Sequence, residues 1–241
     1  MLDSNSPATG HRPLATMLAE QIQYYRARAA EYDEWFLRKG RYDRGPAHTA
    51  KWFREVEDVV WDLEGHAPYG DVLELAGGTG LWTVRLAAKA NSVTVVDASP
   101  EMIELNRLRV GEKPITYIEH DLFSYNPDRK FDFVFFGFWL SHVPSERFEE
   151  FFALVRRCLK PGGSFFFIDS IKEPQSTAVD HALPLEDDCE TLVRKLNDGS
   201  EFRIFKVFYR PDDLKWKLES LGWTAKLNET ANFFIYGSGK Y

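Results

Sequence analysis

Only two cysteines, Cys158 and Cys189, occur in the 241 residues. That is too few for a disulfide framework or a multi-cysteine zinc site, and it fits a reducing compartment. The six histidines are dispersed with no paired helical spacing, so the sequence points to no metal site. Positive charge is not in excess: 30 Lys and Arg stand against 37 Asp and Glu, for a net −7. A broad surface for nucleic acid or anionic membrane needs clustered cations, and this balance argues against both partners. Long hydrophobic runs are absent as well. The most apolar stretch, Phe131–Leu140, is too short to cross a bilayer. Met1–Gly10 lacks the basic start and apolar run of a secretory signal. There is no internal repeat, low-complexity tract or inter-domain linker. The expectation is a single soluble domain of the cytoplasm, with its oligomeric state open.

What is present is an ordinary globular composition, 44% hydrophobic and 28% charged, with an unusual number of rings: 19 Phe, 10 Tyr and 7 Trp. Such an excess suggests an apolar cavity in addition to a filled core. Residues 1–16 read as a loosely docked tail. Leu18, Ile22, Tyr25, Ala29, Tyr32 and Phe36 recur at three- and four-residue steps, which predicts a helix over 18–37. KGRYDRGP (39–46) breaks it, and a second helix covers 47–64. The grammar then changes to short apolar strands alternating with helices. Strands are expected at 71–75, 92–96, 115–119, 131–136 and 164–169, and helices at 81–90, 101–110 and 147–159. Ser99 is the expected N-cap of the helix at 101–110. Beyond Ile171 the pattern predicts a helix at 189–196, a strand at 202–209, a helix at 212–221 and a last strand at 232–236. The fold class is therefore α/β: a Rossmann-like, mostly parallel seven-stranded sheet with helices on both faces, the last strand antiparallel, and an N-terminal helical lid. The domain divides into a helical cap (1–66), a cofactor-binding core (71–170), and a substrate-lid insert with the sheet-closing strands (171–241).

In such a sheet ligands bind beyond the carboxyl ends of the strands. Three signals sit there. Glu74-Leu75-Ala76-Gly77-Gly78-Thr79-Gly80 follows the first strand, and its glycines permit a close backbone approach to a ligand. A dinucleotide fingerprint would need a third glycine where Thr83 stands, and a phosphate loop would need Gly-Lys-Ser/Thr where Leu-Trp follows Gly80. Glu74 would repel a pyrophosphate and favour a cationic amino group. Asp97 ends the second strand, where a carboxylate can accept both hydroxyls of a ribose. Asp121 follows the third, placed to accept from an adenine amino group, with Met102, Leu122 and Phe123 able to sandwich the ring. Each acid alone could simply cap a helix.

Taken in order, VLELAGGTG, VVDAS, DLF, FDFVFF and LKPGGSFFFID resemble the successive motifs of class I S-adenosylmethionine-dependent methyltransferases, over roughly residues 71–170. The resemblance implies S-adenosyl-L-methionine as cofactor. It implies that Glu74, Ala76, Gly77, Gly78 and Gly80 cradle its methionine part. Asp97 would hold the ribose, Ala98 and Met102 the adenine face, and Asp121 with Leu122 its edge, with Phe123 and Gly137 completing the cofactor set. Gly137-Phe138-Trp139-Leu140-Ser141-His142-Val143-Pro144 resembles the corresponding stretch of small-molecule methyltransferases of the quinone-methylating and related type. The N-x-P-aromatic motif of enzymes that methylate nucleobase or glutamine amide nitrogens is absent.

Methyl transfer requires alignment, exclusion of water and often removal of a proton. His142 is the candidate general base, since its ordinary pKa lies near neutrality; lining the pocket or capping the next helix are the alternatives. Tyr25 and Tyr32 lie seven apart on one helix face, and the resemblance implies that they cover the methionine carboxylate or the reacting methyl; packing against the sheet is the other reading. Arg41 and Arg44, and further on Arg194, Lys195, Arg203 and Lys206, are cations available to an acidic substrate. The function expected is methyl transfer to a small-molecule acceptor, at oxygen, with nitrogen and carbon open. The rivals are a nicotinamide-dependent oxidoreductase and a non-catalytic cofactor-binding regulatory module.

Overall fold

A computed structural model describes residues 12–181, 183 and 190–241. Residues 1–11 of the expected tail, and Cys189, lie outside them. Seven strands form one sheet: β1 (Asp71–Leu75), β2 (Ser92–Asp97), β3 (Ile115–Glu119), β4 (Phe131–Gly137), β5 (Leu159–Ser170), β8 (Thr224–Glu229) and β9 (Phe234–Lys240). Their order is β3-β2-β1-β4-β5-β9-β8. The first five run parallel, and β9 is antiparallel to both β5 and β8. Strand order reverses between β1 and β4, so the cleft beyond Leu75 and Gly137 is the switch point at which a ligand is expected.

Period-two alternation splits the strand rings between two cores. Val134, Phe136, Phe165 and Phe167 face one side, together with Phe148, Phe151, Phe152 and Val155 of α6 (Phe148–Cys158) and Leu214 and Leu218 of α7 (Pro211–Ser220). Phe133, Phe135, Phe166 and Ile168 face the other, against Trp52, Val56, Val59 and Leu63 of α3 (Pro46–Glu64). Most of the aromatic excess is accounted for here. Ser99 caps α5 (Pro100–Val110) as expected, its hydroxyl accepting from Met102 N at 3.2 Å.

The N-terminal helix comes in pieces: α1 (Leu14–Arg28), a 3₁₀ turn, and α2 (Tyr32–Phe36). The helix expected at 81–90 shortens to α4 (Thr83–Leu86). The expected helix at 189–196 is instead β6 (Thr191–Lys195), paired antiparallel with β7 (Glu201–Phe205) in a separate hairpin. Leu192 and Leu196 have helical spacing, but a hairpin partner takes up the backbone hydrogen bonds and alternation decides. The strand at 202–209 therefore ends early and does not join the main sheet. Its place is taken by β8, a polar edge strand that the sequence reading missed. Tyr24 of α1 packs on Leu196 and Ile204, which seats the hairpin on the lid. No helix among the described residues is long and apolar enough to cross a membrane.

Candidate active site

The loop after β1 turns through two left-handed positions at its start, Ala76 (φ 54°) and Gly78 (φ 52°). A Cβ on Gly78 would meet nothing within 4 Å, so this backbone borders open space. Gly77 and Gly80 are glycines for a different reason: a Cβ on Gly77 would strike Val95, and one on Gly80 would come within 2.8 Å of Asn106. Asn106 was not singled out in the sequence. Its amide donates to the carbonyls of Gly77 (3.3 Å) and Gly78 (3.2 Å) and to Thr83 Oγ1 (2.8 Å), and so pins the loop from behind.

Two buried acids flank this loop. Glu74 accepts from Thr83 Oγ1 at 2.6 Å, and burial pushes its pKa up to about 8, Thr83 opposing and the nearby Asp97 adding to the rise. Asp97 accepts from Gly78 N and Ser99 N, both at 2.9 Å. Its pKa is raised by burial despite these bonds.

Three cavities meet above the switch point. The first, about 700 Å³, is lined by Tyr25, Tyr32, Ala76, Gly78, Asp97, Ala98, Met102, Asp121, Leu122, Phe123 and Gly137 from the expected set, with Leu18, Gln21 and Ile22 of α1 closing it. A smaller one, about 300 Å³, takes Glu74 and Gly77, with Trp82 beside them. Gly80 lines none of the three. The remaining cavity, about 580 Å³, lies between α1, the loop after β4 and the β6–β7 hairpin, and is lined by His142 with several polar side chains. Tyr32 and Phe138 border all three, and Tyr25 separates the first from the last. The indole Nε1 of Trp82 is buried without a hydrogen-bond partner among the described residues.

His142 sits at this partition with both ring nitrogens engaged. Nδ1 lies 2.7 Å from the carbonyl of Phe205, which can only accept, so Nδ1 carries the proton. Nε2, 2.7 Å from Tyr25 Oη, then accepts from the phenol. Burial, reinforced by Lys206, holds the imidazole pKa well below its ordinary value. Burial likewise holds Tyr25 well above its own, so the phenol keeps its proton. Gln21 ties the same three elements together, donating to His142 O (3.0 Å) and accepting from Phe205 N (2.9 Å). Lys206 Nζ donates to Ser141 Oγ at 2.7 Å and faces Asp169 at 3.4 Å.

The lid is also fastened to the glycine loop. Asp33 of α2 accepts from Thr79 Oγ1 at 2.6 Å and pairs with Arg109, which in turn donates to Thr79 O at 2.8 Å. Of the sequence cations, Arg41 pairs with Glu31 and Asp180 at the surface instead of facing the cavity.

Residues 72–163 match a family model described as a methyltransferase domain. The chain is similar to DhpI, solved in a complex with SAM and HEP: 36% identity, TM-score 0.77, covering 95% of this chain and 100% of that one. It is 30% identical over 132 residues to a ubiquinone/menaquinone biosynthesis C-methyltransferase of Teredinibacter turnerae, and 30% identical over 129 residues to a demethylmenaquinone methyltransferase of Listeria welshimeri. The chain spans about half the length of these two curated relatives, 52% and 51%.

Proposed function

This chain belongs to the class I S-adenosylmethionine-dependent methyltransferases, and we propose from that premise that it methylates an oxygen of a small molecule held in the cavity between α1 and the β6–β7 hairpin. The observation that carries this reading is the meeting of three cavities at Tyr32 and Phe138. One compartment has the chemistry for a nucleoside, one for an amino acid, and the third opens on their junction. The acceptor compartment is roofed by a helix and a hairpin, which suits a small molecule better than a polymer. Its polar lining favours oxygen over the carbon of an apolar quinone ring.

The residues present fit the cofactor. Asp97 would accept from the ribose hydroxyls, with Ala98, Met102 and Leu122 against the adenine and Asp121 and Phe123 at its edge. Glu74, with one oxygen committed to Thr83, would face the amino group. The unpartnered indole N–H of Trp82 and the backbone of Ala76–Gly78 suit the carboxylate. S-Adenosylmethionine, when bound, supplies a methyl group on a positively charged sulfur. The chain's own work is to hold Tyr32 and Phe138 around the transfer point, to keep water out with Leu18, Ile22 and Tyr25, and to aim the acceptor. His142 reaches that point through the Tyr25 hydroxyl, as a positioning residue.

Calorimetric titration with S-adenosylmethionine, S-adenosylhomocysteine and NAD tests the cofactor side. Isotope-labelled methyl transfer to a panel of small hydroxylated and acidic acceptors tests the rest. An O–CH₃ resonance in the product is expected. Methyl groups appearing on carbon, or on a polymer in preference to small acceptors, would overturn the proposal.

A further inference from the structure

Asn106 is fully buried on α5, yet its amide serves three other elements. Nδ2 donates to the carbonyls of Gly77 and Gly78 in the glycine loop and to Thr83 Oγ1 at the start of α4. Oδ1 lies 2.9 Å from the hydroxyl of Tyr117 in β3, a half-buried ring with the Arg107 guanidinium stacked 4.2 Å from its centroid.

The direction of each bond in this chain is fixed. Carbonyls only accept, so the amide must turn its NH₂ to Gly77 and Gly78; a flipped amide would set oxygen against two oxygens. Oδ1 is thereby left to Tyr117, which donates. Thr83 Oγ1 receives a hydrogen from Asn106, and its own hydrogen goes to Glu74 Oε2 at 2.6 Å. Every donor from Tyr117 onward therefore points towards Glu74.

That direction decides what Glu74 shows a ligand. With Oε2 already accepting, a protonated Glu74 carries its hydrogen on Oε1. Oε1 accepts nothing from the described residues, and Glu74 lines the small cavity beside Ala76–Gly78. Protonated, Oε1 offers that cavity a donor; ionised, it offers an acceptor, and a charged amino group can use only the second. As the ligand enters, the Oε1–H bond breaks, its electron pair stays on oxygen, and the proton leaves through the cavity to water. Asp97 at the end of β2 opposes this ionisation, Tyr32 of α2 lines the same cavity, and β4 sets apolar Phe135 beside Glu74 in register. Against the charge of Asp97, the hydrogen bond from Thr83 is what stabilises the carboxylate before a ligand arrives.

Resting on the reading of this site as the cofactor site of a methyltransferase, we propose that Asn106 is a positioning residue for the cofactor's amino group: held by Tyr117 and acting through Thr83, it keeps Oε1 of Glu74 as the open oxygen and eases its ionisation. The same amide secures Gly77 and Gly78, so one side chain sets both the shape of the loop and the charge state of the acid beside it. A donor chain of this kind strengthens each bond along it.

The test uses the full chain, labelled with carbon-13 at its glutamate carboxyls and titrated by NMR without cofactor. Glu74 is the resonance that Glu74→Gln removes, and it should titrate at about pH 8. Thr83→Val takes away the final donor and should raise that midpoint by about one pH unit. Asn106→Leu, close in shape and able to keep water out, should raise it by about half a unit. The two together should raise it no further than Thr83→Val alone, because Asn106 acts through Thr83. Calorimetry at pH 7 supplies a second readout, with S-adenosylhomocysteine and with methylthioadenosine, which is the same nucleoside without the amino acid. Thr83→Val should weaken the first about tenfold and Asn106→Leu about threefold, the same shifts restated as affinity. Methylthioadenosine should stay within about 1.5-fold in both, which also shows that the variants fold. Tyr117→Phe removes a single hydroxyl, should raise the midpoint by a smaller step, and carries the test should Asn106→Leu not fold. A midpoint that the variant leaves in place, shifts that add in full, or equal weakening of both nucleosides would each overturn the proposal. Failure of S-adenosylhomocysteine to bind the unaltered chain would instead overturn the methyl-transfer reading beneath it.

Discussion

Raising the pH from 6 to 8 should tighten cofactor binding about tenfold over the first unit and about fivefold over the second, and Glu74 is the reason. Its carboxyl is buried, keeps a single hydrogen bond from Thr83, and has Asp97 nearby, so its pKa rises from the ordinary carboxylate range to about 8. At pH 7 only about one-tenth of the chains then carry the anion that an amino group requires. Ionising the rest costs about 1 kcal/mol at pH 7 and about 3 kcal/mol at pH 6, and nothing well above 8. Binding must therefore release close to one proton below pH 8. Titration with S-adenosylhomocysteine in buffers of different ionisation enthalpy measures that proton directly, and a pH series gives the slope. Glu74→Gln should flatten the slope and abolish the release. A flat affinity between pH 6 and 8 in the unaltered chain, with no proton released, would refute the reasoning. Without the cofactor the same shift acts on folding. The folded chain holds a proton that the unfolded chain gives up, so this group's contribution to stability falls as pH rises from the ordinary carboxylate range to about 8.

His142→Gln can still donate to Phe205 O and accept from Tyr25, so turnover should stay within about tenfold, whereas His142→Ala strands both partners and loses more; an acid limb in the pH–rate profile that vanishes in both variants would mean instead that His142 is a base. Gly80→Ala forces a Cβ to 2.8 Å from Asn106 at φ 87° and should cost about 1–3 kcal/mol in urea unfolding. Gly111→Ala, at φ 71° with open space around it, should cost only about 1 kcal/mol. Asp33→Ala frees the lid from Thr79 and Arg109; stopped-flow release of S-adenosylhomocysteine should quicken about tenfold, and an unchanged rate would show that this contact does not hold the lid.

The core of the fold was legible because its signals are local. A strand, a glycine turn and a helix lie within a few tens of residues, and Glu74, Asp97 and Asp121 each sit at a strand end that alternation alone locates. The errors fell where local pattern and long-range pairing disagree. Thr191–Lys195 has helical spacing but finds a strand partner in β7, and Thr224–Glu229 is a polar edge strand whose pairing with β9 is its only signature. Gly80 shows a subtler limit: the motif is readable, but only packing shows that this glycine yields to Asn106 while Gly78 faces the cavity.

By itself, then, the sequence determined the sheet, the cofactor and the elements that present its candidate ligands, since each depends on neighbours close along the chain. The proposed acceptor site depends on tertiary structure alone. Arg28 comes from the first helix, His142 from the loop after β4, and Arg194 and Lys206 from either side of a hairpin. They act together only because folding removes water from around all of them at once, and no spacing in the sequence records that.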